Sequence, residues 1–494
     1  MSPGTSASRK NAFFVLALIL LSGFALRAVC ALFFKNVNHT DEIFQYVEPA
    51  HRLVFGYGVQ TWEFVLGGRS WLVPGFIAGI IKLASYVSTN PAIYLGAIGL
   101  TMSALSLIVV GVGYNWGQIL YGRTGAIVTG AITASWLELV YFAPKPLTDV
   151  LAGNLLILSV FLVYPDAERR TTGRYLLAGF CLGLAFAIRF QMAPIYALTA
   201  ICICRLEFKK RWLPLVLGAA APVLAAGLLD AVTWGYPFKS ILLSLWRVTG
   251  GAPLSARNIE PIYYYAGVEV LNWSGASVFL VLAALIGARR MPLLAVLSLA
   301  IFIVYSIEPI KTYRYFYPAL PFIVVLAGLG TSEVLIRLNG IFPDKKRIMA
   351  AIAIAMWPIT SAALAMSDHF QIYLHKDGAI LNAFDEVGKE PDLCGVAIVG
   401  LEWWRTGGYT HLHRNVPMFE INPAEAGRYA SAYNYVISQN QIPNAAGYKI
   451  ERCTPNMGFH PATRDLICIY RRPGRCVPLR SHQMKGGFED SRSF

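Results

Sequence analysis

Long apolar runs separated by short polar segments dominate the pattern of this sequence. Most of the runs approach the roughly 20 residues that a helix needs to cross the hydrocarbon core of a bilayer. They lie at about 11–34, 92–114, 124–142, 147–164, 174–188, 190–204, 213–233, 274–288, 291–307, 315–336 and 348–367. We therefore predict an α-helical polytopic membrane protein with about eleven transmembrane helices.

A twelfth apolar segment at 73–87 is interrupted by Pro74, Gly75, Gly79 and Lys82. Basic clusters lie at 9–10, 169–174, 205–211, 289–290 and 345–347. The positive-inside rule places all five clusters in the cytoplasm only if 73–87 does not cross the membrane. We therefore predict an interfacial or re-entrant helix at 73–87 and an N-terminus in the cytoplasm.

The pattern changes after residue 367. CGVAIVG, NYVISQ and DLICIYRR are typical of short buried strands, and Gly, Pro and Asn lie between them. We predict two domains: a transmembrane domain at 1–367, with a first outer loop at 35–91, and an extracytoplasmic mixed α/β domain at 368–494. The second domain contains Cys394, Cys453, Cys468 and Cys476, which form either two disulfides or buried thiols.

Composition supports a membrane protein, because 56% of the residues are hydrophobic and only 14% are charged. The net charge of +14 could indicate nucleic acid as a partner. The basic residues instead occur in short clusters between apolar runs, so we expect contact with membrane lipids and no nucleic acid. The first run is longer than that of a signal peptide and lacks a cleavage site, which favours a retained span.

The first outer loop is the segment that carries candidate chemistry. It reads HTDEIFQYVEPAHRLVFGYGVQTWEF at 39–64, and its acids are tolerable only in water, at an interface or around a polar ligand. At 100° per residue, Asp41, Gln45 and Glu48 share one side of a helix, so we predict an amphipathic helix at the outer interface with its polar side toward a cavity. Asp41 and Glu42 point about 100° apart, so a single acid acting as a base fits better than a glycosidase pair. The alternative is that both acids only complement the helix N-terminus.

This loop, with GGRSWLVPGF at 67–76, resembles the first outer loop of the lipid-phosphate-mannose-dependent mannosyltransferases, glycosyltransferase family 22 with the GT-C fold. Within that family it is similar to the third mannosyltransferases of GPI-anchor synthesis and their bacterial relatives, whose pattern is roughly HPDE, Q, E, H, TWE and RS. Thr40 stands where the family usually has Pro. EPIKTYRYFYPALP at 308–321 resembles a second family motif, although Ile310 and Thr312 replace its His and Glu. GGYTHLHR at 407–414 is similar to bacterial members.

The resemblance implies inverting transfer of a sugar, expected to be mannose, from a polyprenyl-phosphate donor to a glycan or glycolipid acceptor outside the cytoplasm. It implies that Asp41 is the base and that Glu42 orients or binds the acceptor. The possible disulfides of the C-terminal domain and the compact size favour a bacterial inner membrane with a periplasmic active site, for which the endoplasmic reticulum is the eukaryotic counterpart. We expect no cofactor and no metal, since the lipid-linked sugar is a substrate and His39, Asp41 and Glu42 lack a recognised ligand spacing.

Cations are needed where the phosphate departs with its negative charge. We expect Lys311, Arg314 and Arg189 to bind the donor phosphate, although Lys311 and Arg314 could instead be interfacial snorkelling residues. The residues that we expect to bind substrate elsewhere in the loop are His39, Gln45, Glu48, Trp62, Glu63 and Arg69. Trp and acid side chains suit a sugar, because the ring packs on it and the carboxylate binds its hydroxyl groups.

Two other functions remain possible at this point. A glycolipid flippase or transporter would place its critical charges near mid-membrane, whereas the dense polar motif here lies in an outer loop. An O-antigen-type ligase or polymerase would work in the same compartment with a diphosphate-linked glycan donor.

Overall fold

The computed structural model describes residues 6–165, 171–249, 259–422, 430–439, 447–457 and 464–477. The chain forms two compact units. The first, called here the helical unit, comprises Met1–Ala31, Gly99–Phe238 and Leu245–Phe370. The second, called the mixed unit, comprises Leu32–Ile98, Lys239–Ser244 and Gln371–Phe494. The predicted first outer loop therefore lies in the same unit as the C-terminal residues.

Helices account for most of the described chain. They are, in order, α1 Ser6–Phe33, α2 Glu48–Phe55, α3 Trp62–Leu66, α4 Leu72–Ser85, α5 Pro91–Ser135, α6 Leu137–Tyr141, α7 Thr148–Val163, α8 Thr172–Ile188, α9 Ala193–Cys204, α10 Leu213–Trp234, α11 Lys239–Thr249, α12 Tyr264–Trp273, α13 Ala276–Ala288, α14 Pro292–Ile307, α15 Leu320–Ile341, α16 Lys346–Ala365, α17 Asp368–His375, α18 Gly378–Val387 and α19 Gly408–Leu412. The helical stretch α5 is broken at Gly122, whose φ of 63° lies in the left-handed region. Shorter 3₁₀ or π-helical turns lie at Glu42–Val47, Phe190–Met192, Phe208–Trp212, Tyr313–Ala319, Pro343–Lys345 and Trp403–Arg405.

The predicted apolar runs all coincide with helices. Among the described residues, 5 helices are long and apolar enough to cross a membrane, or up to 6 if the bent pair α12 and α13 is one span. The remaining predicted spans correspond to shorter apolar helices or to the part of α5 that follows Gly122. The helix α4 at the predicted interfacial segment has 14 residues, which is about 21 Å and shorter than the hydrocarbon core. The count of eleven spans and their orientation stay predictions, and part of the basic cluster at 169–174 lies outside the described residues.

Small residues allow neighbouring helices of the helical unit to approach closely. A Cβ atom added at Gly179 or Gly183 of α8 would fall on backbone atoms of Leu215 or Ala219 in α10. The same holds for Gly287 of α13 against α15. Lipid supplies no hydrophobic driving force between helices, so such close backbone packing is a main source of their association.

The mixed unit contains a 5-stranded sheet with the order β2-β1-β3-β5-β4. The strands are β1 Val396–Val399, β2 Met418–Ile421, β3 Tyr435–Gln439, β4 Lys449–Met457 and β5 Arg464–Arg471. β1 is parallel to β2 and β3, whereas β5 is antiparallel to β3 and β4. Helix α18 and loop residues such as Phe44 and Val59 share one hydrophobic core with the sheet. The predicted strands in CGVAIVG, NYVISQ and DLICIYRR are confirmed as β1, β3 and β5.

The four cysteines of the mixed unit form disulfides, Cys394–Cys476 and Cys453–Cys468. Cys453 and Cys468 are opposite each other on β4 and β5. The cysteines of the apolar helices, by contrast, are free thiols, namely Cys30, Cys181, Cys202 and Cys204.

Candidate active site

The acidic segment of the first outer loop is buried in the mixed unit. Residues Glu42–Val47 form a π-helical turn that begins after Asp41 and continues directly into α2. Pro49 is the second residue of α2 and does not interrupt the helix. Asp41, Gln45 and Glu48 are all buried, as are Ile43 and Val47 on the other side. The segment is helical, as predicted, and it is packed on both sides. That its polar side faces a cavity at the outer interface stays a prediction.

Asp41 and His39 form a close pair at the start of this segment. His39 Nδ1 lies 3.2 Å from the backbone nitrogen of Asp41 and 3.2 Å from its Oδ1. Unprotonated, Nδ1 can accept the backbone N–H, whereas protonated it can donate to the carboxylate. Asp41 is 8% exposed, and 30% of the His39 side chain is exposed. The pair thus joins a nearly enclosed carboxylate to an imidazole that solvent can reach.

Glu42 supports the turn that carries this pair. Its Oε1 accepts hydrogen bonds from the backbone N–H groups of Asn38, at 2.8 Å, and His39, at 3.1 Å. Such bonds fix the backbone on which His39 stands, as a capping-box glutamate does at a helix start. Glu42 was predicted to orient or bind the acceptor. Its hydrogen bonds indicate that it positions the backbone of this loop.

Gln45 links the π-helical turn to the second polar element of the loop. Its Nε2 donates to Glu63 Oε1 at 2.9 Å, and both residues are buried. Glu63 lies in α3, next to Trp62, and Trp62 and Arg69 are both half-buried. The predicted substrate-binding residues Gln45 and Glu63 are therefore in direct contact with each other.

Glu48 occupies a different environment and has no exposed surface. Its Oε1 accepts from the backbone N–H groups of Val59, at 2.8 Å, and Tyr409, at 3.0 Å. Its Oε2 accepts from the Thr410 backbone N–H at 2.8 Å and from the Thr410 hydroxyl. Glu48 was expected to bind substrate, but its carboxylate joins α2 to α19, which points to a structural role.

His51 continues this junction one turn further along α2. Its Nδ1 lies 3.1 Å from the Tyr57 carbonyl oxygen, and its Nε2 lies 3.1 Å from Nδ1 of His413. Burial first, and the charge of His413 second, lower the pKa of His51 to about 3. Burial and the nearby Arg414 also lower the pKa of His413. Both imidazoles are therefore held neutral over the physiological range.

The helical unit contains a separate cationic cluster. Asp149, which has no exposed surface, lies between two buried arginines. Its Oδ1 is 3.0 Å from Arg189 Nη2, and its Oδ2 is 3.5 Å from Arg314 Nη1. Both guanidinium groups also lie over the ring of Tyr315, at 4.8 and 5.0 Å from its centroid. Two arginines with one carboxylate leave a formal charge of +1, which suits an anionic group.

Lys311, the third predicted cation, is bound elsewhere. Its Nζ donates to the carbonyl oxygens of Glu260, at 2.8 Å, and Glu308, at 2.6 Å. The structure thus brings Arg189 and Arg314 together around Asp149, while the described contacts of Lys311 are with backbone carbonyl groups.

Sequence reasoning overlooked several buried acids of the helical unit, among them Asp149 and Glu138. Glu138 has no exposed surface and accepts hydrogen bonds from Trp273 Nε1, at 2.6 Å, from Trp136 Nε1, at 3.2 Å, and from the Tyr313 hydroxyl. The sequence does contain an indication of their importance. Both acids lie within predicted apolar runs, where an ionisable residue is expected to be functional or paired.

Within the residues that the structure describes, no group of three His, Cys, Asp or Glu side chains could hold a metal ion. The absence of a metal requirement stays a prediction.

Comparison with known proteins identifies the family. The model of the Alg9-like mannosyltransferase family matches residues 18–413. The chain is 23% identical over 418 residues to GPI mannosyltransferase 3 of Yarrowia lipolytica, covering 80% of this chain and 75% of that protein. It is 26% identical over 441 residues to mannosyltransferase APTG1 of Arabidopsis thaliana, covering 81% and 76% of the two chains.

Solved structures agree on the fold. ArnT from Cupriavidus metallidurans, bound to undecaprenyl phosphate, has a TM-score of 0.62 at 12% identity and covers 94% of this chain and 99% of that chain. Its apo state has a TM-score of 0.59. The predicted GT-C architecture and the interpretation as a glycosyltransferase are confirmed. The chain therefore belongs to the Alg9-like mannosyltransferase family and is a multi-pass membrane protein with the GT-C fold.

Proposed function

We propose that this protein transfers mannose from a polyprenyl-phosphate donor to a glycan or glycolipid acceptor, with inversion and with Asp41 as the base. The observation that carries the proposal is the enclosed carboxylate of Asp41, at the start of the family's loop motif and 3.2 Å from His39 Nδ1. An enclosed carboxylate is suited to accept a proton from an acceptor hydroxyl group, because little solvent competes for it.

The reaction would be a single displacement. Asp41 removes the acceptor hydroxyl proton as the acceptor oxygen attacks C1 of the sugar. The bond between C1 and the phosphate oxygen breaks, and its electron pair stays on the lipid phosphate. No general acid is required, since a phosphate is already a good leaving group.

Arg189 and Arg314 are proposed to stabilise the departing phosphate. They share one carboxylate, that of Asp149, so their combined positive charge is only partly balanced. Prearranged cations of this kind stabilise charge that develops in the transition state. ArnT, a protein of the same fold, binds undecaprenyl phosphate, so the fold can accommodate a polyprenyl phosphate. Glu42 and Gln45 are proposed to hold His39, Asp41 and Glu63 in place for the acceptor.

The proposed compartment is outside the cytoplasm, in the periplasm of a bacterium or the endoplasmic reticulum lumen of a eukaryote. Its support is the pair of disulfides in the mixed unit, because disulfides persist in oxidising compartments.

The test is transfer of radiolabelled mannose from polyprenyl-phosphate-mannose into a lipid extract of the source organism, using purified protein in liposomes. We expect Asp41→Asn to lower transfer at least about 1000-fold, because the amide cannot accept the proton. Asp344→Asn is the matched control, since Asp344 is exposed. Asp41→Asn protein that is normally folded and fully active would remove Asp41 as the base.

A further inference from the structure

The mixed unit contains a polar cavity, of about 420 Å³, that the proposed reaction does not use. Its charged lining residues are Lys35, Lys389, Arg414 and Asp385, and His411 and His413 also line it. Without the histidines, the three cations and one acid of the lining have a formal charge of +2. A cavity with this charge attracts an anion.

The single acid of the lining is already paired. Asp385 Oδ2 lies 2.6 Å from Lys35 Nζ, and its Oδ1 lies 2.8 Å from His411 Nδ1. Burial raises the pKa of Asp385, but the hydrogen bonds and charges of His411 and Lys35 outweigh it and hold the pKa below its ordinary value. The carboxylate is therefore ionised and serves to orient Lys35 and His411, while Lys389 and Arg414 add positive charge.

The start of a long helix also lines this cavity. Residues 88–92 line the cavity, and α5 begins within them at Pro91. Asn90 Oδ1 accepts the backbone N–H of Ala92 at 2.9 Å, which caps this end. The partial positive charge of a helix N-terminus adds to that of the cationic side chains and favours an anion in the same cavity.

Another cavity, partly apolar, shares Lys35 with the charged one and has a volume of about 390 Å³. Its apolar lining residues are Leu32, Phe33, Ala379, Pro455 and Met457, and His375, Asn382 and Thr454 are its other polar ones. Leu32 and Phe33 are the last residues of α1, one of the helices with the length and hydropathy of a membrane span. A ligand that occupies both cavities must be charged at one end and apolar at the other, and must be reachable from the membrane surface.

We propose that these two cavities bind an anionic phospholipid, with its phosphate between Lys35, Lys389 and Arg414 and the start of its acyl chain against Phe33. The ligand is a membrane lipid and not a free phosphate ion, because phosphate alone would leave the apolar side chains of Leu32, Phe33 and Met457 without a ligand contact. The site is separate from Asp41 and does not depend on the transfer reaction.

The test is a titration of the detergent-solubilised full chain by native mass spectrometry, with phosphatidylglycerol, phosphatidylcholine and inorganic phosphate as the probes. The quantity measured is the dissociation constant of the tightest lipid-binding event. A juxtamembrane Lys or Arg contributes about fivefold in affinity for an anionic lipid. We expect Lys389→Gln and Arg414→Gln each to weaken phosphatidylglycerol binding about fivefold, and the double variant about 30-fold.

Lys449→Gln is the matched control, because Lys449 is an exposed lysine of the same unit on β4 and lines neither cavity. It should bind phosphatidylglycerol as the wild type does. Arg414 also donates to the Gly388 and Glu390 carbonyl oxygens, so Arg414→Gln removes two structural hydrogen bonds. If that variant does not fold, the affinity of Lys389→Gln for phosphatidylglycerol alone tests the proposal.

Three results would overturn the proposal. Equal affinity for phosphatidylglycerol and phosphatidylcholine would exclude recognition of charge. An unchanged affinity in the folded Lys389→Gln protein would place the lipid elsewhere. Inorganic phosphate that binds as tightly as phosphatidylglycerol, and displaces it, would make a free phosphate ion the ligand.

Discussion

The carboxylate of Glu48 should be one of the largest single side-chain contributions to the stability of the mixed unit. In Glu48→Gln, the amide oxygen can still accept from Val59 and Tyr409, but the amide nitrogen replaces the oxygen that faces Thr410. The Thr410 hydroxyl can rotate to accept from the amide, whereas the Thr410 backbone N–H loses its acceptor in a site with no exposed surface. An unsatisfied buried N–H costs about 1–3 kcal/mol, and the loss of charge weakens the two remaining bonds. We expect a total of about 2–4 kcal/mol.

The assay is thermal unfolding of the detergent-solubilised protein, followed by tryptophan fluorescence. For a unit of this size, that free energy corresponds to a fall in Tm on the order of 5–10 °C. Glu386→Gln is the matched control: it breaks an ion pair with Arg452 in which both side chains are more than a third exposed, and such pairs contribute about 0–1 kcal/mol. Thr410→Val in the Glu48→Gln background should lower Tm little further, because the two side chains are joined by the same hydrogen bond. A Tm for Glu48→Gln within about 1 °C of that for Glu386→Gln would refute this reasoning.

Other predictions concern pH and the cations. The pKa of His51 is about 3 in the folded protein and about 6.5 in the unfolded chain. The contribution of His51 to the free energy of unfolding is therefore fully present above pH 6.5 and is lost as the pH falls toward 3. Between pH 7.5 and 5, the free energy of unfolding should fall by about 2 kcal/mol. The slope of Tm against pH should be flatter in His51→Phe, and an unchanged slope would assign the dependence to other groups. Arg314→Gln should lower the rate of transfer about 100-fold, whereas Lys311→Gln should lower Tm and change the rate less than about fivefold, because Lys311 Nζ is bound to two carbonyl oxygens. If Lys311→Gln lowered the transfer rate as much as Arg314→Gln does, Lys311 would also be assigned to phosphate binding.

Much of the fold follows from local patterns in the sequence. The apolar runs predict helices because length and composition alone decide whether a segment can lie in lipid. Strands β1, β3 and β5 were predictable, since their buried residues form short continuous apolar runs. Strand β4, KIERCTPNM, was not, because it is a mostly exposed edge strand that contains Pro455 and has no apolar alternation.

The candidate site was only partly predictable. The loop motif identifies Asp41, but the role of Glu48 depends on Tyr409 and Thr410, which are more than 350 residues away in the sequence. No local pattern can indicate such a contact, so Glu48 was grouped with its helical neighbours as a substrate ligand. The pairing of Arg189 and Arg314 with Asp149 likewise joins distant segments, although an acid within an apolar run is itself a signal.

The identity of the donor and the anomeric form of the product test the proposed mannosyl transfer most directly. Purified protein in liposomes would be supplied with the source lipid extract and, in parallel, with mannose linked to polyprenyl phosphate, to polyprenyl diphosphate or to a nucleotide diphosphate. Inversion at C1 of a β-linked donor predicts transfer from β-linked polyprenyl-phosphate-mannose alone, an α-linked product, and no transfer by Asp41→Asn. Transfer from the nucleotide or diphosphate donor, or retention of the β configuration, would contradict it.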